Sequence, residues 1–460
     1  MVFEDLRGFL EYLRGMGDVL TVQEEVDRKF ELSAVLRQVT TGEGPVVLFE
    51  KIKGFSGIRV VGNVLGSRRR VTEALGSPGG ELLETFISRR NRPIEPTILD
   101  SGPVKEVVLT GGIDLHRLLP APVFHEKDAG PYLTAGIAIA RDPETGQQSM
   151  GIHRVAIKGK DRLGIFLANP PLAHYLARAE KLGRPLDIAI ALGVDPLLML
   201  ASIVKHTPGD PDKFVVAGGL RGEAVKLVPG ESVKVNVPAF AEIVLEGQIL
   251  PGLREAEGPF GESTGHYFIN DSPVVQVTAV THRRNPLLQV VLPWAMEPDL
   301  LLSLGSGSEV YAGLKALAPK VKDLALVPGT CTFHAVVAVE EGASRGEVRR
   351  IINLALNLDR RMKQVTVVDD DVDIHDFREV AWAVATRFQA DRDTLILTGL
   401  DSYVIDPSVQ PGGATAKLGL DATKKQRGDT ADSYEKIRVP GYARARAEAI
   451  LASTLRQSQN

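Results

Sequence analysis

Apolar positions recur with helical and strand spacing in turn along the first hundred residues. Phe3, Leu6, Phe9, Leu10 and Leu13 fall on one face of a helix over residues 3–16. Val19 to Val26 predicts a strand, Leu32 to Val39 a helix, and the unbroken run Val46-Val47-Leu48-Phe49 a buried strand. Ile58 to Val64 predicts another strand, and Ser67 has the side chain to cap a helix reaching about Leu75. Helices alternating with strands predict a small α/β domain over residues 1–106. The basic run Arg89-Arg90-Asn91-Arg92-Pro93 reads as a solvated linker.

From residue 107 the texture changes. Strand-like runs recur at Val107–Leu109, Leu133–Ile139, Val155–Ile157, Ile165–Leu167, Val233–Val237, Ile243–Leu245 and Val274–Val280, with one strong helix at Leu172–Leu182. Many strands, Gly/Pro turns and few helices predict a barrel or sandwich over residues 107–302. A helical linker near Leu304–Ala318 spans 303–325. An α/β pattern returns over 326–440, with strands at Val336–Val339, Val365–Val368 and Thr394–Leu397 and helices at 343–357 and 376–386. Residues 441–460 read as an alanine-rich helix and tail. The fold class is therefore α/β in the α+β sense.

Composition narrows the function classes. The 460 residues are 44% hydrophobic and 24% charged, with a net charge of −4, so neither disorder nor a nucleic-acid or anionic-membrane partner is expected. The opening Met1-Val2-Phe3-Glu4-Asp5 does not read as a signal peptide, and no apolar run approaches 18 residues, so a cytoplasmic location is expected. The single cysteine, Cys331, excludes a disulfide within the chain and a Cys-based zinc site; its surroundings predict a buried strand.

The chemistry concentrates in Glu257-Gly258-Pro259-Phe260-Gly261-Glu262. A Gly-Pro-Phe-Gly turn would aim both carboxylates into one site, where proximity drives their pKa values apart. An exposed acidic turn is the plainer alternative. Gly261-Glu262-Ser263-Thr264-Gly265 fits the spacing of a hydrolase nucleophile elbow, but no helical periodicity follows Ser263. Asp369 to Asp376 lacks the Gly and Glu of an EF-hand loop and reads as a strand end capping the next helix. Dinucleotide, Walker A and HExxH signatures do not occur.

Several ordered segments resemble one family, the UbiD decarboxylases. They are Asp128–Tyr132, Gly151–Arg154, Ala191–Pro196, Glu242–Gly247, Glu257–Glu262, Val368–Ile374 and Ala416–Thr423. The resemblance implies a central split β-barrel of flavin-reductase type between a smaller N-terminal α/β domain and a C-terminal α/β oligomerisation domain. It implies prenylated FMN as cofactor, supplied by a separate flavin prenyltransferase, and a homo-oligomer, dimer or hexamer. The reaction implied is reversible decarboxylation of a small α,β-unsaturated, aromatic or heteroaromatic acid, releasing CO₂. The catalytic trio of Glu, Arg and Glu falls on Arg154, Glu257 and Glu262, with Glu262 the proton donor. Ser149, Ile152, His153, Phe166, Leu167, Ala168 and Lys213 take cofactor-binding places beside Arg154, and Lys417 matches a phosphate-binding lysine. Trp294, Met296 and Glu297, between Leu288 and Leu302, fall where a pocket wall is expected.

The resemblance also implies a divalent metal, manganese or magnesium, with potassium nearby, held by Asn, His and Glu. Those places hold Ser149, Leu172 (with His174 two residues on) and Lys213. Lys213 is accordingly expected at the flavin phosphate, in the metal's stead. Two other readings stand beside the decarboxylase: a serine hydrolase through Ser263, and a flavin-binding paralogue without catalysis.

Overall fold

The computed structural model describes residues 2–40, 42–77, 81–205, 209–409, 413–425 and 436–458. The first helix, Leu6–Gly15, is capped by the Asp5 carboxylate on the Gly8 amide and buries Leu6, Phe9, Leu10 and Leu13, the face that the periodicity marked. The N-terminal sheet runs Val19–Val26, Val46–Ile52, Arg59–Gly62, Leu287–Val290. Its last strand comes from far along the chain and pairs in parallel with Arg59–Gly62.

The second sheet has nine strands, paired antiparallel throughout. Its centre is a long hairpin of Ile243–Gly261 and Tyr267–His282. Leu186–Leu192, Ile137–Arg141 and Gln148–Ile152 extend it on one side; Arg162–Ile165, Val155–Ile157 and Tyr132–Leu133 extend it on the other. Gly258 and Pro259 therefore lie within a strand, not in the turn that the sequence predicts. A bulge accommodates them, because Glu257 pairs with Asn270 while Phe260 pairs with Phe268.

The helix Met296–Leu302 passes through a π turn at Ser303–Gly307 into Ser308–Leu317. A Cβ on Gly305 would lie 2.6 Å from the Ile203 carbonyl, so only glycine allows this approach. A five-stranded sheet runs Val321–Leu326, His334–Val339, Gln364–Asp369, Ala414–Asp421, Thr394–Asp401, parallel inside and antiparallel at both edges. Helix Phe377–Arg387 begins at Asp376, whose carboxylate accepts the Arg378 amide, so the acidic stretch is a strand end and a cap as expected.

Two further expectations need correction. Arg89 and Arg90 are the last turn of helix Leu82–Arg90, not a linker, and Arg90 pairs with Glu309. Cys331 is buried, but in a turn with φ +51° instead of on a strand. The C-terminal helix spans Gly441–Ser458; residues 459–460 of the expected tail lie outside the described residues.

Candidate active site

The site is built on the central hairpin. In a regular strand, residues five apart face opposite sides. Glu257 and Glu262 are five apart, and the bulge between Glu257 and Phe260 inserts the extra residue that restores a common face. Both carboxylates meet Arg154, which lies between strands Gln148–Ile152 and Val155–Ile157. Arg154 Nη2 and Nε donate to Glu257 Oε2 and Oε1 at 2.8 and 3.1 Å, a two-point clamp, while Nη1 pairs with Glu262 Oε1. The guanidinium also lies 4.3, 5.1 and 5.4 Å from the ring centres of Phe166, Phe260 and Phe268. Ser272 Oγ donates to Glu257 at 3.4 Å. Burial, and then the charge of Glu257, pushes the nearby Tyr132 phenol up, so it stays protonated.

A cavity of about 190 Å³ opens at this cluster. Ile152, Phe166, Ile203, Val291 and Leu301 give it apolar walls; Thr134, His153, Asn169 and Glu262 add polar groups. Burial pushes the His153 imidazole down to about 4, so the ring is neutral at pH 7. Its Nδ1 lies 2.8 Å from the Phe166 carbonyl and must carry the hydrogen, which leaves Nε2 an acceptor. The Ser149 hydroxyl is buried with no partner among the described residues. Ser263 also lines the cavity, but strand Tyr267–His282 follows its turn, so the strand–helix elbow of a serine hydrolase is absent.

A second recess of about 410 Å³ is lined by Arg90, Lys205 and Lys213 together with Asp210 and Glu309. The Lys213 ammonium donates to the Ser202 carbonyl at 2.9 Å, and burial pushes it down to about 7. Adjacent Asp212 is pushed up by burial, also to about 7.

Not every sequence candidate converges. Phe166 lines the cavity, but Leu167 and Ala168 do not; Leu167 packs on the core instead. His174 is exposed on helix Leu172–Lys181, whereas Ser149 and Lys213 are buried. Lys417 is buried beneath the end of helix Arg345–Leu358, donating to the Leu356 carbonyl at 2.5 Å and the Asp359 carbonyl at 3.5 Å. Of the expected wall, Val291, Pro293, Pro298, Leu301 and Leu302 line the cavity. Trp294 is half exposed, and Glu297 turns inward to accept the Leu65 amide. Arg361, Tyr403 and Ile405 complete the lining. Sequence reasoning missed them, because nothing local links residues 361 and 403 to the hairpin.

Among the described residues no three His, Cys, Asp or Glu side chains gather as metal ligands. With a serine and a lysine at two of the places, the donor set does not fit the divalent metal that the resemblance implies. A buried ammonium and an unpartnered hydroxyl are donor types that a flavin phosphate would take. No helix of the described residues is long and apolar enough to cross a membrane.

Comparison with known proteins covers nearly the whole chain. Models of the 3-octaprenyl-4-hydroxybenzoate carboxy-lyase match in order: its N-terminal domain at residues 10–90, its Rift-related domain at 97–296 and its C-terminal domain at 300–422. The anhydromevalonate phosphate decarboxylase of Methanothermobacter thermautotrophicus is 34% identical over 427 residues, covering 91% of this chain and 96% of that one. The phenolic acid decarboxylase of Bacillus subtilis is 34% identical over 459 residues, covering 95% and 96%. The structure of HmfF from Pelotomaculum thermopropionicum in complex with FMN superposes with a TM-score of 0.91 at 39% identity, covering 96% of this chain and 98% of that one. An evolved dimeric form of HmfF is known in complex with prFMN.

Proposed function

The chain belongs to the UbiD family of decarboxylases, and from that membership we propose that it removes the carboxylate of an α,β-unsaturated, aromatic or heteroaromatic acid, or adds it in reverse. It is a carboxy-lyase acting without net oxidation. The observation that carries the finer reading is Arg154 held between Glu257 and Glu262 at the cavity. Loss of CO₂ from an unsaturated carbon leaves an electron pair that no side chain can hold, and prenylated FMN supplies the electron sink. Glu257 occupies two donors of Arg154 and fixes the plane of its fork. The remaining edge, Nη1, is the one a substrate carboxylate would use, and Glu262 shares it. When the substrate takes that edge, Glu262 binds a proton; after the C–C bond breaks and CO₂ leaves, Glu262 returns this proton to the carbon.

For the cofactor, Ile152, Phe166 and Ile203 would hold the ring, and Ser149, His153 and Lys213 would face the ribityl phosphate end. In the second recess Arg90 and Lys205 are already paired, with Glu309 and Asp359. The antiparallel sheet is read as the split barrel of flavin reductases and the flanking sheets as its N-terminal and C-terminal domains. Exposed Ile437, Val439, Tyr442 and Leu451 around the C-terminal helix support self-association.

Co-expression with a flavin prenyltransferase, followed by spectroscopy and a turnover screen over such acids, tests the proposal. A flavin spectrum distinct from plain FMN and CO₂ release from at least one acid are expected. Absence of any flavin after anaerobic purification would refute it.

A further inference from the structure

The catalytic cavity has a second cation in its wall. Arg361, just beyond helix Arg345–Leu358, lines it together with Tyr403 and Ile405, which follow strand Thr394–Asp401. The Arg361 guanidinium is anchored at its inner edge. Nε donates to Asp359 Oδ1 at 3.4 Å, and Nη2 lies 3.3 Å from Asp359 Oδ2 and donates to Ser306 Oγ. Nη1 and the Tyr403 hydroxyl have no hydrogen-bond partner among the described residues, although both side chains line the cavity. The Tyr403 ring centre lies 5.2 Å from the Arg360 guanidinium and 5.4 Å from that of Arg361.

The carboxylate at this wall is shared. Asp359 also pairs with Lys205 Nζ at 2.8 Å, so one carboxylate serves two cations. Against the effect of burial, Arg361 and Lys205 hold that carboxyl well below the usual carboxylate range. Asp359 is divided between Arg361 and Lys205, Glu309 acts on Lys205 from further off, and no carboxylate among the described residues pairs with the free edge of Arg361. The cavity that both arginines line also has Leu301, Leu302, Ile405 and Cys331 in its wall.

We propose that Arg361 and Tyr403 form a second recognition point for the substrate, so that the acid taken carries a further oxyanion, carboxylate or phosphate, besides the carboxylate that is lost. Arg154 then faces the reacting group, Arg361 the retained one, and the apolar wall the unsaturated frame between them. The proposal rests on the decarboxylase reading above. An anion at Arg361 has one other source, the phosphate of the cofactor, and the test separates the two.

The holoenzyme is assayed with cinnamate and 4-carboxycinnamate, which differ only in the second carboxylate, for turnover and for binding by calorimetry. Wild type prefers the dianion. In Arg361→Gln that preference falls by about 10- to 100-fold, the loss expected for one charge-assisted hydrogen bond, with flavin content retained. Tyr403→Phe removes only a hydroxyl, leaves the Asp359 pairing intact and lowers the preference by about 2- to 10-fold. Binding of the two acids that is equal, or absent for both, in wild type overturns the proposal. Loss of flavin from Arg361→Gln with the preference unchanged assigns the cation to the cofactor and also overturns it. If neither acid is decarboxylated but dianion binding depends on Arg361, the recognition point stands and the decarboxylase reading falls.

Discussion

Arg154 meets Glu257 fork to fork, with Nη2 2.8 Å from Oε2 and Nε 3.1 Å from Oε1, and both side chains are withdrawn from solvent. The pair carries charge and plane together, and the two properties can be separated by substitution. Arg154→Ala leaves Glu257 a buried, uncompensated charge, at a cost of about 3–5 kcal/mol. Arg154→Lys restores a charge but not the plane. Thermal melts are expected to show a lowered Tm for the alanine variant and partial recovery for lysine, while turnover is lost in both. A lysine variant with wild-type turnover would remove the fork from the mechanism.

Glu262→Gln keeps the shape at Arg154 Nη1 but has no acidic proton to give. Turnover is expected to fall by about 10²- to 10⁴-fold, with flavin content unchanged by absorbance. Unimpaired turnover would assign the proton to another group.

Lys213 makes stability depend on pH in a defined direction. Burial lowers its ammonium from the ordinary 10.5 to about 7. Between these values the unfolded chain binds a proton that the folded apoprotein does not, so this group raises stability as pH climbs from about 7 to 10.5. Lys213→Met is therefore expected to melt higher than wild-type apoprotein at pH 7, with the gap closing by pH 10, and to load less flavin. A gap that stays constant across this range would refute the buried ammonium.

Trp294 fixes the turn after Glu262. A Cβ on Gly265 would lie 3.2 Å from the indole Cε2, and Gly265 has φ +76°, so Gly265→Ala is strained twice. The Gly265 amide donates to the Glu262 carbonyl at 3.0 Å, which passes the displacement to Glu262. A 10- to 100-fold fall in kcat, about the effect of a 1 Å misplacement, is expected with flavin content intact. Trp294 and Trp382 are the only tryptophans. In a Trp382→Phe background, fluorescence at position 294 should shift with Gly265→Ala, and an unchanged spectrum with unchanged kcat would dismiss the contact.

How far the sequence was legible follows from where each residue sits. The amphipathic face of Leu6–Gly15 and the strands Val46–Ile52 and His334–Val339 were readable because period and burial agree there. Helices Pro196–Ser202 and Lys213–Arg221 were not read, since every side chain on them is buried and no polar face marks the period. Gly218 and Gly219 add to the disguise. They sit inside the second helix because a Cβ on Gly218 would lie 2.3 Å from the Ile94 carbonyl and one on Gly219 2.6 Å from that of Arg92. Strand Leu186–Leu192 is almost continuously apolar and gave no alternation. The family resemblance supplied Arg154, Glu257 and Glu262, and the fold brings them together. It could not supply the bulge that makes their spacing work, which depends on the partner strand at Phe268 and Asn270.

The parallel pairing of Leu287–Val290 with Arg59–Gly62 also sets a schedule for biosynthesis. Until residue 290 has left the ribosome, the edge bearing buried Val60 and Val61 has no neighbour. At about 5–20 residues per second, that wait is roughly 10–45 s. An unpaired apolar edge is a template for another chain. The nascent protein is thus most exposed to aggregation before residue 290 emerges, and a fragment ending near residue 106 would carry the same bare edge permanently.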